Sequence, residues 1–156
     1  MNITRCVIIA LNVLSVVDLQ EGIFQHMTPN VSVMRAINGT EAMWLTKDTL
    51  PLYTRFLIQN GRQSHIQIGN SQMLGCLLSH VKVWREIQPG ETVMVVEEDA
   101  VIDAVSAVRL AQVAADIGTA PWDVIRLDAG QLIDTGESVY LGSGMVARCA
   151  HGESCV

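Results

Sequence analysis

The chain has 156 residues, of which 49% are apolar and 17% charged, with a formal net charge of −6. That length and apolar content support a folded core and exclude a disordered chain. The acidic balance, with no cluster of Lys and Arg, excludes a nucleic-acid partner, because duplex binding needs a basic face.

Arg5 to Leu11 reads as a first strand. The apolar stretch from Cys6 to Val17 resembles a signal-peptide core, but Asn12 and Ser15 interrupt it and no small-residue cleavage site follows. It is too short to cross a bilayer, and no other segment reads as membrane-spanning. Ser15, with Asp18 three residues on, predicts a capped helix to about His26, with Val16, Leu19 and Ile23 inward. Val31 to Ile37 reads as a second strand, closed by Asn38-Gly39. Asp48 to Gln59 reads as a helix stopped by Asn60-Gly61.

The segment Ser71 to Ile87 is the clearest helix. Leu74, Leu77, Leu78, Val81 and Trp84 keep helical spacing and are expected deep in the core. Gln72, Gly75, Ser79, Lys82 and Glu86 then form a narrow polar face. Pro89-Gly90 turns the chain into a strand at Thr92–Val96. Asp103 reads as the cap of a helix over Val105–Ile117, closed by Gly118. Asp123–Leu127 reads as a short strand, and Leu132–Leu141 as a hairpin. Strands alternating with helices predict an α/β fold: one domain over residues 1–141, with a mostly parallel sheet flanked by helices. The strands near Val7–Ala10, Val33–Ala36, Val93–Val96 and Val124–Leu127 are expected side by side. Residues 142–156 show no periodicity and read as an irregular tail.

Chemistry concentrates where Val93-Met94-Val95-Val96 runs into Glu97-Glu98-Asp99. Three adjacent carboxylates at a strand end do not serve packing. In an open α/β sheet the C-terminal strand ends are where ligands bind. A Glu-x-Asp pair there suits a divalent cation, and the cation suits a diphosphate. The competing reading is a solvated acidic turn. Clustering is expected to raise at least one carboxylate pKa when no metal is bound. No glycine-rich phosphate loop is present, and no Gly-x-Ser-x-Gly elbow points to a hydrolase. Ser79 sits on the expected polar face, within reach of a ligand. His80 lies on the apolar arc near Met73, Cys76 and Trp84, where a hydrogen-bonded core histidine is the commoner case. Asp128, at a strand's C-terminal end, suits a general base better than Asp123, which reads as a cap. Cys6 and Cys76 read as small buried hydrophobes. Cys149, His151 and Cys155 lack a Cys-x-x-Cys pair for zinc, and the four cysteines read as reduced thiols in a cytoplasmic protein.

Four segments carry a resemblance. Leu74-Gly75-Cys76-Leu77-Leu78-Ser79-His80 resembles the Gly-Cys-x-x-Ser-His segment of glycosyltransferase family 25. Val95-Val96-Glu97-Glu98-Asp99 resembles that family's strand ending in Glu-Asp-Asp. Met34-Arg35-Ala36-Ile37-Asn38-Gly39 resembles its Ala-x-Asp-Gly segment, with Asn38 in place of the acid. Trp122-Asp123-Val124-Ile125-Arg126-Leu127 resembles its Trp-Asp-x-x-x-Leu strand. The matches keep the family's order over roughly residues 31–128.

The resemblance implies a GT-A-like fold that lacks the family's C-terminal part. It implies inverting transfer of a hexose, often galactose, from a UDP-sugar to a saccharide or glycoprotein acceptor, as in lipopolysaccharide biosynthesis. It implies Mn²⁺ or Mg²⁺ on Glu97 and Asp99. Leu11, Asn12, Asn38, Ser79, His80 and Glu98 would line the donor site, and Asp128 would be the base. The alternative is a non-catalytic or truncated nucleotide-binding relative. A different Mg²⁺ enzyme acting on phosphates, such as a nucleotidyltransferase, is a third reading.

Overall fold

The structure is a computed structural model that describes residues 2–45, 50–61, 68–118 and 122–127, together with strands Ser138–Leu141 and Gly144–Ala147. Its contacts divide into two units, Asn2–Ile102 and a second made largely of Asp103–Val156.

The first unit is α/β, with a three-stranded parallel sheet flanked by helices. β1 (Arg5–Ala10) lies between β2 (Val31–Arg35) and β3 (Val93–Glu97), in the order β2-β1-β3. Every residue from Cys6 to Ala10 is buried, as a central strand covered on both faces requires. Val7 and Ile9 alternate onto one face and pack with Val83 of α4 (Ser71–Glu86). Met34, Ala36, Val93 and Val95 extend that cluster. Cys6, Ile8 and Ala10 occupy the other face and are also buried.

β3 is an edge strand of this sheet. Only Met94 is fully buried along it, and Val93, Val95 and Val96 are half-buried. β1 takes the centre because its apolar run is continuous on both faces, whereas β3 ends in Glu97 while still paired with Ile9.

Several boundaries moved. After β1 the chain makes a 3-10 turn, Val13–Val16, before α1 (Val17–His26). Asn12, rather than Ser15, caps it, its side chain accepting from the Leu14 amide. A short helix not anticipated from the sequence, α2 (Gly39–Leu45), follows β2. Asn38 Oδ1 caps it by accepting from Thr40 N at 2.9 Å and Glu41 N at 3.4 Å. α3 (Leu52–Asn60) ends at Gly61, whose φ of +86° suits glycine.

The phase of α4 differs from the sequence expectation. Its buried face is Leu74, Gly75, Ser79 and Val83. Trp84 is 53% exposed and Leu77 40% exposed, while Leu78 and Val81 are half-buried. Close approach is the physical reason. A Cβ on Gly75 would stand 2.6 Å from the Ile37 carbonyl oxygen and 2.7 Å from the Gly39 nitrogen. A Cβ on Gly39 would collide with the Ser71 carbonyl. Only small residues of α4 fit against the start of α2, so Gly75 faces it and Leu77 and Trp84 turn outward, while Leu74 and Val83 remain buried. Ser79 completes the seam. Its hydroxyl is fully buried, donates to Gly75 O at 2.7 Å and accepts from Ile37 N at 2.8 Å. Trp84→Ala is therefore expected to cost less than about 1 kcal/mol in urea unfolding. A loss above about 3 kcal/mol would place Trp84 in a core.

In the second unit, α5 (Ala104–Ile117) starts at Asp103 as expected, in a capping box with Ser106. Hydrogen bonds from Ser106 hold the Asp103 carboxyl below its ordinary range. β4 (Val124–Arg126) does not join the parallel sheet. It pairs antiparallel with β6 (Gly144–Ala147), which also pairs antiparallel with β5 (Ser138–Leu141). A hairpin thus exists, but later than the expected Leu132–Leu141, and its second strand falls within the segment expected to be an irregular tail. Among the described residues no helix is long and apolar enough to cross a membrane.

Candidate functional site

The strand order β2-β1-β3 reverses the winding of the sheet between β1 and β3. In open α/β sheets, ligands bind outside the carboxyl ends of such a pair. β1 leads there into Leu11 and Asn12, and β3 ends in Glu97 and leads into Glu98 and Asp99.

Period two separates the carboxylates. Val93, Val95 and Glu97 share one face of β3, the face on which Val93 and Val95 pack toward Val83 of α4. Glu97 therefore meets α4. Its Oε1 accepts from the Cys76 thiol at 3.2 Å and stands 3.9 Å from His80 Nε2. Cys76 and His80 are one helical turn apart on α4, so both reach the same carboxylate. His80 Nδ1 lies 3.0 Å from the Cys76 carbonyl oxygen. A carbonyl only accepts, so Nδ1 carries the proton and Nε2 is the free nitrogen of the neutral ring. Trp84 borders the imidazole edge-on, with ring centroids 6.1 Å apart.

Glu98 turns the other way. It accepts from Leu11 N at 3.2 Å, Asn12 N at 3.4 Å and Ser15 Oγ at 3.4 Å. Its carboxylate thus ties the loop after β3 to the loop after β1. Leu11 and Asn12 are exposed beside it, as is Asp99.

Of the residues expected to line one cleft, Leu11, Asn12 and Glu98 are joined by hydrogen bonds, and Glu97 is joined to His80. Asn38 is committed to capping α2. Ser79, expected on a polar face, is sealed between α4 and the Ile37 amide. His80 is partly exposed rather than largely buried. Asp128, Cys149, His151 and Cys155 lie outside the described residues.

Cys76 departs most from its expected role as a buried hydrophobe, because its residue is exposed. Among the described residues it belongs to a group of three possible ligands with His80 and Glu97, whose donor atoms all lie within 4.8 Å of one another. This group was not anticipated from the sequence, although the helical spacing of Cys76 and His80 and the shared parity of Glu97 with Val93 and Val95 were signals for it.

Burial and the neighbouring Glu97 carboxylate push the Cys76 thiol up to about 11. Burial alone pushes Cys6 to about 12. Both are protonated at neutral pH. Only the thiolate is a strong nucleophile, so alkylation of Cys76 by iodoacetamide is expected to be slow at pH 8. It should accelerate as pH rises toward 11. Mass spectrometry of the Cys76 peptide checks this; rapid alkylation at pH 7 would show an activated thiol instead.

The residues at these strand ends also bear on the divalent cation that the family resemblance implies. Glu98 is engaged by amides and a hydroxyl, Asp99 is exposed, and Glu97 is exposed with its Oε1 accepting from Cys76. Two carboxylates completed by water and phosphate oxygens are a donor set that Mg²⁺ or Mn²⁺ accepts, so the residues fit. Comparison with models of protein families, with curated protein sequences and with solved structures finds no match to this chain.

Proposed function

We propose that this chain is the nucleotide-sugar-binding part of a metal-dependent glycosyltransferase, transferring a hexose from a UDP-sugar to a saccharide or glycoprotein hydroxyl with inversion. The observation that carries the reading is the carboxylate run Glu97–Asp99 leaving β3 where the sheet reverses its winding. The order of the four sequence segments supports it.

In this reading Glu97 and Asp99 would hold the cation, and Leu11 and Asn12, whose amides are tied to Glu98, would line the nucleotide site. The bound cation supplies positive charge against the departing diphosphate. The acceptor oxygen forms a bond to the anomeric carbon as the bond from that carbon to the diphosphate breaks. The acceptor's proton passes to a base, assigned here to Asp128.

A thermal-shift series with UDP-galactose and UDP-glucose, with and without Mn²⁺, tests binding, since a ligand of the folded state raises apparent stability. The expected result is a Mn²⁺-dependent rise, with release of UDP when an acceptor sugar is added. Stabilisation without UDP release would favour a non-catalytic nucleotide-binding protein. No response to any UDP-sugar would overturn both readings. Turnover of nucleoside triphosphates in its place would favour the nucleotidyltransferase reading.

A further inference from the structure

The geometry points to a cation site on the α4 face of the sheet, sharing Glu97 with the diphosphate site proposed above, in which Cys76 Sγ, His80 Nε2 and Glu97 Oε1 bind zinc or a similar borderline-soft divalent ion. This inference does not depend on the transferase reading.

The donor set is the first argument. One thiolate, one imidazole and one carboxylate suit Zn²⁺, whereas Mn²⁺ and Mg²⁺ prefer oxygen throughout. Three protein ligands with a fourth position open to water is the arrangement of zinc sites that keep an exchangeable ligand. Cys76 and Glu97 are exposed, so an ion can enter and that position faces solvent.

Distances are the second argument. Zinc bonds of about 2.0–2.3 Å at tetrahedral angles place donor atoms roughly 3.3–3.5 Å apart. Cys76 Sγ and Glu97 Oε1 are 3.2 Å apart, and His80 Nε2 and Glu97 Oε1 are 3.9 Å apart. Cys76, His80 and Glu97 each offer one ligand atom within 4.8 Å of the other two.

The histidine is also held as a ligand would be. Metal-binding histidines donate their other ring N–H to a carbonyl or carboxylate, which fixes the tautomer and aims the ligating nitrogen. His80 has that support from the Cys76 carbonyl at 3.0 Å, and its Nε2 is the nitrogen turned toward Glu97.

A nucleophilic Cys–His pair fits less well. Cys76 Sγ is 3.8 Å from Nδ1, but that nitrogen is spent on the Cys76 carbonyl and cannot take the thiol proton. The nearest carboxylate also opposes a free thiolate. A dication removes that opposition: the thiol proton leaves to solvent, a sulfur–metal bond forms, and Glu97 becomes a co-ligand.

The test uses the full chain with Cys149→Ser and Cys155→Ser, which leaves Cys6 and Cys76 as its cysteines. Titration with Co²⁺, a spectroscopic substitute for zinc, is expected to produce thiolate-to-cobalt charge-transfer absorption. The signal should saturate at one ion per chain and be displaced by Zn²⁺. Cys76→Ser should abolish it. His80→Gln should weaken Zn²⁺ binding, measured by indicator competition, by more than the 10–100-fold typical of changes to outer-shell partners. Circular dichroism of both variants, altered at partly exposed positions, should match the parent. A signal that survives Cys76→Ser, or no stoichiometric Zn²⁺ binding by the parent chain, would overturn the site. Asp99→Asn should leave Zn²⁺ binding intact, so this site and the diphosphate site can fail separately.

Discussion

Gly75→Val is expected to destabilise the protein by about 3 kcal/mol or more, at the upper end of overpacking costs. For a chain of this size that corresponds to a fall in Tm on the order of 10 °C. The new Cβ alone would lie 2.6 Å from a carbonyl oxygen and 2.7 Å from a backbone nitrogen. Those atoms belong to backbone at the β2–α2 junction and cannot rotate aside as a side chain would. Relief requires α4 to lift from Gly39, which also stretches the Ser79 bond to the Ile37 amide. Gln72→Val is the control, because Gln72 is exposed on the same helix. It carries the intrinsic helix cost of valine, under about 1 kcal/mol, without the collision. Urea unfolding of the two variants separates the terms. Equal losses would mean that α2 and α4 do not meet as closely as described.

Asp99→Asn is expected to remove Mn²⁺-dependent binding of a UDP-hexose, by at least ~100-fold, while the unfolding midpoint stays within experimental scatter. Loss of a ligand exceeds the 10–100-fold cost of outer-shell changes, and an exposed isosteric exchange leaves packing untouched. Calorimetric titration of the parent and the variant with UDP-galactose, with and without Mn²⁺, measures it. Glu98→Gln makes a useful contrast. Glu98 accepts from Leu11 N, Asn12 N and Ser15 Oγ, so its replacement should loosen the join between two loops and lower stability first. If Asp99→Asn binds donor and Mn²⁺ as tightly as the parent, the acidic run is not a diphosphate site and the transferase proposal fails.

Much of the fold was legible because its signals are local. Cys6 to Ala10 is an unbroken apolar run, and such a run specifies a strand covered on both faces. Asp103, Asn60-Gly61 and Gly118 mark helix ends through hydrogen-bonding capacity and backbone freedom, which neighbouring residues do not override. The carboxylate run was visible for the same reason, since its chemistry stands out against the valines before it.

What the sequence could not decide depends on which surfaces approach one another. The apolar spacing of α4 suggested that Trp84 and Leu77 point inward. Gly75 and Ser79 are inside instead, because backbone–backbone contact with α2 excludes anything larger, and α2 itself gave no strong periodic signal. β4 was expected beside the parallel strands. Three residues carry too little pattern to choose a partner, and pairing with β6 is a long-range choice. The sequence by itself determined the three strands β1 to β3, the Asp103 cap, the helix stops at Gly61 and Gly118, and the acidic end of β3. Only the tertiary structure decided how those three carboxylates divide. The alternation of β3 against α4 brings Glu97 to Cys76 and His80, and the turn beyond it delivers Glu98 to the amides of Leu11 and Asn12.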